Sequence, residues 1–379
     1  MLKALAFTVT FAAFGYPYTA GGTEAWFSDD YQEARTRFLD AAAQRGAEVT
    51  SYQHPRYSDL FMDVAVIGAK APRSTLLVVS GTHGIEGFAG SALQLGMLLD
   101  RDKRIFPLND RTALVLVHAV NPFGFAKHRR FNEENIDINR NYYRVDDLRP
   151  SNAGYVELAS ALSPDSLSWH TDLYSRLRLY LYKLRHGGKA LQQAVSGGQY
   201  AHPDGLFFGG LDESWSAKIV HSILAERVAK SPTVIVLDIH TGLGPFGEVE
   251  LISSDPLTSP ALQKARSLWG STVRSTRLDN SVSVDLSGTF KYAVATTLVD
   301  NDVVALTMEF GTYPAPRVLW ALRAENWLNR QPDAANISES RAIKAELREV
   351  FYPDGSEWRT RVAEQGLALL LRATDALAR

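Results

Sequence analysis

Two side chains that can bind a metal stand three residues apart in one glycine-rich stretch. His83 and Glu86 lie within residues 81–87, directly after the apolar run 75–80. Such a run predicts a buried strand, and α/β proteins place their ligands where such strands end. A His and a Glu at this spacing can hold one metal ion from a single loop. The chain has no cysteine, so a zinc site must use His, Asp or Glu, the set common in catalytic sites.

Two further apolar runs end in residues of the same kind. His240 directly follows the apolar run 233–239, and Glu309 is the last residue of the run 303–309. Two His and one Glu are the ligands of several hydrolytic zinc sites, which keep a fourth position for water. His83, Glu86 and His240 are therefore candidate ligands of one Zn²⁺ ion. A second carboxylate must take the proton from the attacking water and return it to the leaving group, and Glu309 is the candidate.

The other histidines have no comparable context, and a histidine without such context is usually structural or exposed. His118 lies inside an apolar run and is predicted to be a core residue. The remaining ones are interpreted as structural or surface residues: His54, His170, His186, His202 and His221.

The segment 121–144 is rich in asparagine and arginine. A hydrolase that forms a tetrahedral oxyanion needs positive donors aimed at it, and arginine also grips a substrate carboxylate with two hydrogen bonds. The alternative is a basic surface loop held by turns that asparagine caps. The segment alone does not distinguish these two interpretations.

The elements that must position these residues follow from the hydrophobic pattern. Strands are predicted at 62–68, 75–80, 112–120, 233–239, 248–253 and 303–309. Helices are predicted at 29–45 with Ser28 as the cap and Gly46 at the end, and at 88–100, 165–185, 189–195, 213–230, 260–270 and most of 315–379, with a break at 352–355. Runs such as 75–80 and 112–120 are apolar throughout rather than alternating, which suits a sheet covered on both faces. Strands that alternate with helices predict an α/β fold with a mixed, mostly parallel sheet.

Composition restricts the class of protein further. The 379 residues are 45% hydrophobic with a net charge of −2, so no global basic field indicates nucleic acid or an anionic membrane as a partner. No apolar run reaches the roughly 18–20 residues of a membrane span. Residues 1–26 are predicted to be an extension or a secretory signal, because Lys3 precedes the apolar run 4–14. We predict one catalytic domain over 27–379, helix-rich from about 315, and a cytoplasmic location, or export if residues 1–22 act as a signal.

A glycine pattern at residues 242–247 fits the G-x-G-x-x-G form of dinucleotide sites. That site needs a helix directly after the glycines to hold the pyrophosphate. Here Pro245 interrupts the pattern, and residues 248–252 alternate like a strand. We therefore predict no nucleotide site. The chain also has no G-x-S-x-G motif that would indicate a serine hydrolase.

Five motifs in order resemble the zinc carboxypeptidase superfamily, and more narrowly the bacterial DUF2817 branch of M14-type metallopeptidases. They are Gly81-Thr82-His83-Gly84-Ile85-Glu86-Gly87, Asn121-Pro122, Arg130 through Asp137-Ile138-Asn139-Arg140-Asn141, Asp238-Ile239-His240 and Met308-Glu309-Phe310-Gly311. The branch also carries motifs like residues 205–210, and the resemblance covers about residues 27–365. It implies a three-layer α/β/α fold with a mixed, mostly parallel central sheet and a helical C-terminal part.

The resemblance implies a role for each matching position. His83, Glu86 and His240 match the zinc ligands, and Glu309 matches the general base. Arg130 matches the arginine that polarises the scissile carbonyl, with Arg129 as the alternative. The remaining matches are Asn139 and Arg140 for the substrate's terminal carboxylate and Asp137 for the residue that orients the first zinc histidine. Tyr292 lies 17 residues before Glu309, but its surroundings do not match those of the family's mobile tyrosine.

Three functions fit these residues. The favoured one is a zinc-dependent, carboxypeptidase-like hydrolase that cleaves a peptide or amide bond next to a free carboxylate. The second is a deacylase of N-acyl amino acids of the aspartoacylase or desuccinylase type, in which the same chemistry acts on another pocket. The third is a catalytically silent binding protein. The expected partner is a small peptide or N-acyl amino acid.

Overall fold

The computed structural model describes residues 22–99, 110–144, 146–278, 280–331, 333 and 337–378. Most of the predicted N-terminal extension or signal lies outside these residues. No helix within the described ranges is both long and apolar enough to cross a membrane.

One sheet of eight strands forms the centre of the molecule, in the order β1-β2-β4-β3-β5-β8-β6-β7. The strands are β1 (Glu48–Gln53), β2 (Phe61–Gly68), β3 (Ser74–Val79), β4 (Thr112–His118), β5 (Thr233–Thr241), β6 (Val249–Ser253), β7 (Val273–Ser275) and β8 (Asp302–Phe310). Strand β4 pairs parallel with β3, β3 with β5, β5 with β8, and β6 with β7. The pairings β1 to β2, β2 to β4 and β6 to β8 are antiparallel. The predicted mixed, mostly parallel sheet is confirmed.

Helices follow most strands and dominate the C-terminal part. They are α1 (Tyr31–Gln44), α2 (Gly87–Leu99), α3 (Pro122–Ala126), α4 (Ala153–Leu162), α5 (Trp169–His186), α6 (Gly188–Ser196), α7 (Trp215–Ile223), α8 (Pro260–Trp269), α9 (Phe290–Thr297), α10 (Ala315–Asn329), α11 (Ser340–Phe351) and α12 (Ser356–Ala378). The predicted break lies between α11 and α12.

The three layers result from the alternation of side chains along each strand. Leu76 and Val78 of β3 point into a core with α1, α2, α8 and α12. Leu77 and Val79 point to the opposite face, where α7 and α9 cover them. Both faces are therefore buried, which is why these strands are apolar throughout.

Some predicted boundaries are wrong. The cap of α1 is Asp30, whose carboxylate accepts from the Glu33 backbone N–H at 2.9 Å, while the Ser28 hydroxyl accepts from Arg37. The predicted helix 213–230 ends as an α-helix at Ile223 and continues as a π-turn to Val228. Strands β1 and β7 and helices α3, α4 and α9 were not predicted.

Candidate metal centre

Adjacent parallel strands bring the distant candidates to one edge of the sheet. Strands β3, β5 and β8 are neighbours, so their carboxyl ends lie side by side. Val79, the last residue of β3, pairs with Asp238 of β5, and His240 pairs with Glu309 of β8. The loop after β3 carries His83 and Glu86 across this edge, where both are buried.

His83, Glu86 and His240 converge through three atoms that can bind a metal. Their ligand atoms all lie within 4.8 Å of one another. The Nδ1 of His83 is 2.9 Å from Glu86 Oε1 and 3.1 Å from the Nδ1 of His240. The Nδ1 of His240 is 2.9 Å from Glu86 Oε2. Both imidazoles thus present the same ring nitrogen toward one carboxylate.

A separate carboxylate holds the other ring nitrogen of each histidine. His83 Nε2 lies 3.1 Å from Asp137 Oδ1, and His240 Nε2 lies 2.7 Å from Asp238 Oδ2. The second oxygen of Asp238 accepts from the Thr82 hydroxyl at 2.8 Å. Carboxylates in such positions fix the orientation of a metal-binding imidazole and raise its basicity. Asp137 was predicted for this position, whereas the sequence reasoning assigned no role to Asp238.

The signal for Asp238 was present in the sequence. Residues two apart on a strand point to the same face, so Asp238 and His240 must lie on one side of β5. The same contact raises the pKa of His240. Burial alone would lower it, but Asp238 and then Glu86 bring it well above its ordinary value.

The two adjacent arginines have different partners. Arg130 contacts the candidate ligands: its NH1 donates to Glu86 Oε1 at 3.0 Å and its Nε to Asp137 Oδ2 at 3.1 Å. Arg129 instead donates its Nε to Glu325 Oε1 at 2.7 Å, and both side chains are buried. The structure thus brings Arg130, and not Arg129, to the cluster.

Arg130, His83 and His240 keep the buried carboxylates of Asp137 and Glu86 ionised. Burial alone would raise the pKa of Asp137, but Arg130 and then His83 hold it well below its ordinary value. Burial acts in the same way on Glu86, whose pKa is lowered by His83 and His240. A carboxylate that stays charged in a buried place can bind a cation, so these shifts suit a metal centre.

Glu309 lies beside this cluster but shares none of its hydrogen bonds in the part of the chain that the structure describes. Its Oε1 accepts from the Leu243 backbone N–H at 2.9 Å. Burial, followed by the negative charge of Glu86, raises the pKa of Glu309 to about 8. A carboxylate with a pKa near neutrality can both accept and return a proton.

Asn139 and Arg140 line the same cavity. Asn139 Oδ1 accepts from the Phe290 backbone N–H at 2.8 Å, which leaves its amide NH₂ for another partner. Arg140 donates to the carbonyls of Asn139 and Ser196 at 2.8 and 2.6 Å, and its buried Nε has no hydrogen-bond partner among the described residues. A buried guanidinium with a spare donor suits an anionic ligand.

The loops that hold these residues pack backbone against backbone. A Cβ on Gly84 would lie 2.1 Å from the carbonyl carbon of Gly124, so a side chain there would push the two loops apart. The Gly84 and Ile85 N–H groups donate to the carbonyls of Arg130 and Arg129 at 3.2 and 2.8 Å. Residues 205–210 support the segment that carries Asp137, because the Phe208 carbonyl accepts from the Asp137 N–H at 2.7 Å.

The cavity that contains this cluster has a volume of about 810 Å³. Apolar side chains from α5, α6 and α10 form much of its wall beyond the polar cluster: Leu179, Leu191, Val195, Val318, Leu319 and Leu322. A pocket of this volume matches the usual range for small-molecule sites.

Tyr292 donates its hydroxyl to Asp147 at 2.8 Å and does not line the cavity. His118 is a core residue as predicted: it is buried, stacks on Phe38 and bonds Ser91 through Nε2. The glycine pattern at 242–247 leads into strand β6 and not into a helix, as expected.

The donor set fits a divalent transition metal. Two imidazole nitrogens and one carboxylate suit zinc, whereas Mg²⁺ and Ca²⁺ prefer oxygen ligands. The orienting carboxylates Asp137 and Asp238 complete the arrangement that metal-binding histidines commonly have.

The sheet order is that of an α/β protein with a carboxypeptidase-like fold. The chain belongs to the DUF2817 family, described as a protein of unknown function, whose profile matches residues 27–365. No curated protein matches the sequence.

Solved structures share the fold at low sequence identity. Thrombin activatable fibrinolysis inhibitor aligns with a TM-score of 0.53 at 9% identity over 95% of this chain and 76% of its own. A metallo-carboxypeptidase from Burkholderia cenocepacia has a TM-score of 0.47 at 14% identity, over 92% and 70% of the two chains. A metallo-carboxypeptidase from Pseudomonas aeruginosa in complex with (2-guanidinoethylmercapto)succinic acid has a TM-score of 0.42 at 14% identity, over 86% and 69%.

Proposed function

We propose that this protein is a zinc-dependent hydrolase that cleaves a peptide or amide bond next to a free carboxylate. The observation that carries the proposal is the convergence of His83, Glu86 and His240, with Glu309 lining the same cavity. The fold that the chain shares with metallo-carboxypeptidases is consistent with it.

His83, Glu86 and His240 would hold the zinc ion, which supplies Lewis acidity and lowers the pKa of a bound water. Glu309 accepts a proton from the attacking water and returns it to the leaving amine. A cation held by these three residues would lower the pKa of Glu309 from about 8, which would favour the form that accepts a proton.

Arg130 carries the positive charge that stabilises an oxyanion. Its NH1 and Nε are held by Glu86 and Asp137, so the guanidinium is oriented before substrate binds. Preorganised donors of this kind lower the barrier because they need no rearrangement as charge develops.

Asn139 and Arg140 anchor the free carboxylate of the substrate. The two residues are adjacent and line the same cavity as Glu309. A free carboxylate held there fixes which amide bond reaches Glu309, and this predicts removal of a terminal residue rather than internal cleavage.

The test combines metal analysis with hydrolysis assays. We expect about one zinc per chain, and turnover of N-acylated amino acids or short peptides with a free carboxylate. Glu309→Gln should keep the zinc and lose turnover. Full activity in Glu309→Gln would remove this residue from the mechanism, and absence of bound zinc from the active wild-type protein would contradict the metal assignment.

Two alternatives are separated by the same assays. Faster turnover of N-acyl amino acids than of peptides would indicate a deacylase of the aspartoacylase or desuccinylase type. Tight zinc binding without turnover of either substrate class would indicate a binding protein.

A further inference from the structure

A lysine in the cavity has no role in the mechanism above. Lys291 is the second residue of α9, and it lines the cavity together with Glu309 and Asn139. Helix α9 is fixed to the carboxylate-anchoring pair, because the Phe290 N–H donates to Asn139 Oδ1 at 2.8 Å. Lys291 therefore lies directly beside the place where the substrate's free carboxylate is expected.

Contacts with the central sheet also define the position of Lys291. Its Nζ donates to the Ile252 carbonyl at 3.2 Å, and Ile252 is the register partner of Thr307 on β8. Thr307 and Glu309 are two residues apart, so both point to the same face, and both line the cavity. Measured along the strand, the ammonium group of Lys291 thus lies about two residues, or roughly 7 Å, from Glu309.

Lys291 has no anionic partner within the described ranges, where its one hydrogen bond is to that carbonyl. The nearby carboxylates are engaged elsewhere: Asp255 with Ser253, Asp238 with His240, and Asp285 with Thr276. Burial lowers the pKa of Lys291 to about 8. A partly buried cation without a contacting anion is destabilising, and an anionic ligand removes that penalty.

We propose that Lys291 forms a second anion subsite, so that the preferred substrate carries an acidic side chain on the residue whose carboxylate Asn139 and Arg140 bind. The preferred leaving group is then a C-terminal or N-acylated glutamate or aspartate. This inference rests on the proposed function.

The test compares isosteric substrates that differ by one charge. We expect the wild-type protein to hydrolyse N-acetyl-glycyl-glutamate at least 30-fold better, in kcat/KM, than N-acetyl-glycyl-glutamine. Lys291→Met should remove this preference by slowing the glutamate substrate alone, and Lys291→Glu should favour a C-terminal lysine. Lys218→Met, at an exposed position of α7, is the matched control.

Binding gives a readout that does not depend on turnover. In Glu309→Gln, calorimetry should show tighter binding of the glutamate peptide than of the glutamine peptide, and Lys291→Met should abolish the difference. Equal binding of the two peptides would overturn the subsite while leaving the hydrolase proposal intact. Discrimination in binding without hydrolysis of any substrate would instead contradict only the hydrolase proposal.

A different part of the molecule carries a second, independent inference. Helix α5 exposes large apolar side chains at three- and four-residue intervals, among them Trp169 at 69%, Leu177 at 52% and Leu184 at 64% relative exposure. With 3.6 residues per turn, this spacing gives one continuous stripe. The members of this α5 stripe are Trp169, Leu173, Tyr174, Leu177, Tyr180, Leu181 and Leu184.

Cations border the α5 stripe on both sides. The helical spacing places Arg176 and Lys183 along one edge, and Arg178 and Arg185 along the other. The one acidic residue of the helix, Asp172, is held by Arg323 at 2.6 Å. An apolar stripe between two rows of cations is the pattern of helices that lie in the surface of an anionic bilayer.

The α5 stripe is also continuous with the cavity, because Arg176, Tyr180 and Lys183 line that cavity. A second copy of this chain is disfavoured as the binding partner. A dimer formed through the α5 stripe would place the four cations of one copy against the four cations of the other. We propose that α5 is a peripheral attachment site for a membrane surface that contains anionic lipids, with the cavity mouth beside that surface.

Vesicle sedimentation tests this attachment. We expect binding to phosphatidylcholine vesicles with 30% phosphatidylglycerol, weaker binding in high salt, and little binding to pure phosphatidylcholine. The double variant L177Q and L184Q should bind at least tenfold more weakly. The matched control is Leu148→Gln, another exposed leucine that lies outside α5.

Fluorescence and the oligomeric state complete the test. Anionic vesicles should shift the tryptophan emission to shorter wavelength, and Trp169→Phe should reduce the shift. Equal sedimentation of the wild type and the double variant would overturn the proposal. So would a vesicle-independent dimer that the double variant converts to a monomer, since the stripe would then be a subunit interface.

Discussion

Glu309 lies directly opposite His240 in the parallel pairing of β8 with β5. The register of two central strands therefore sets the separation between the candidate general base and a candidate metal ligand. Neighbouring strands are about 4.8 Å apart, so the backbone of Glu309 lies at a fixed distance from the backbone of His240.

Glu309→Asp should slow turnover strongly without loss of zinc. The shorter side chain withdraws the carboxylate by about one bond, and a misplacement of about 1 Å can cost roughly 100-fold in rate. Steady-state kinetics should show the loss in kcat, with zinc content measured on the same sample. A rate within about threefold of the wild type would place the proton transfer elsewhere.

Asp238→Asn should weaken zinc binding by about 10- to 100-fold, because Asp238 orients His240 from 2.7 Å. A chelator competition titration measures the affinity directly. Asp302→Asn is the control, since Asp302 pairs with Lys264 at the surface. Unchanged affinity in Asp238→Asn would show that the contact does not support the metal.

Arg130→Met and Arg129→Met should fail in different ways. Arg130→Met should lower kcat by about 100-fold, as expected for loss of one oxyanion donor. Arg129→Met should lower the free energy of unfolding by about 2 kcal/mol, because the buried Glu325 loses a charged hydrogen bond and keeps Lys344 as a cationic partner. Urea denaturation and kinetics on both variants separate the two roles, and interchanged results would reverse the assignment.

Stability should fall as the solution is acidified from pH 6.5 to pH 4, partly because of His118. Burial lowers the pKa of His118 from 6.5 to about 4, so in this window the unfolded chain takes up a proton that the folded protein does not. The loss for this residue reaches about 3 kcal/mol at the lower end. Urea denaturation across this range should show a shallower pH slope for His118→Leu than for the wild type. An unchanged slope, with exposed His186→Leu as the control, would contradict the assignment.

The sequence predicted the central strands well because their burial on both faces requires continuous apolar runs. It missed β1, whose burial is partial and whose residues are mixed, and β7, which has three residues. Helix α9 was missed as well, since its eight residues carry no strong cap signal. The caps of short helices depend on local geometry that residue types alone do not fix, as Asp30 in place of Ser28 shows.

The candidate cluster was predicted in part because strand ends and polar residues coincide in the sequence. What spacing could not provide was the choice between Arg129 and Arg130, which depends on the buried partner Glu325 almost 200 residues later. Lys291 gave no signal for the same reason: its relation to Ile252 and Asn139 exists only in the folded chain.

The close approach of Gly84 to Gly124 links two positions that are forty residues apart. Adding one methyl group at Gly84 would push away the segment whose carbonyls, at Arg129 and Arg130, receive the N–H groups of that loop. Mutagenesis libraries over the chain should therefore tolerate almost no substitution at either glycine, even though neither has a side chain that could act in chemistry. A tolerance map would show them as two isolated, intolerant sites outside the list of reactive residues.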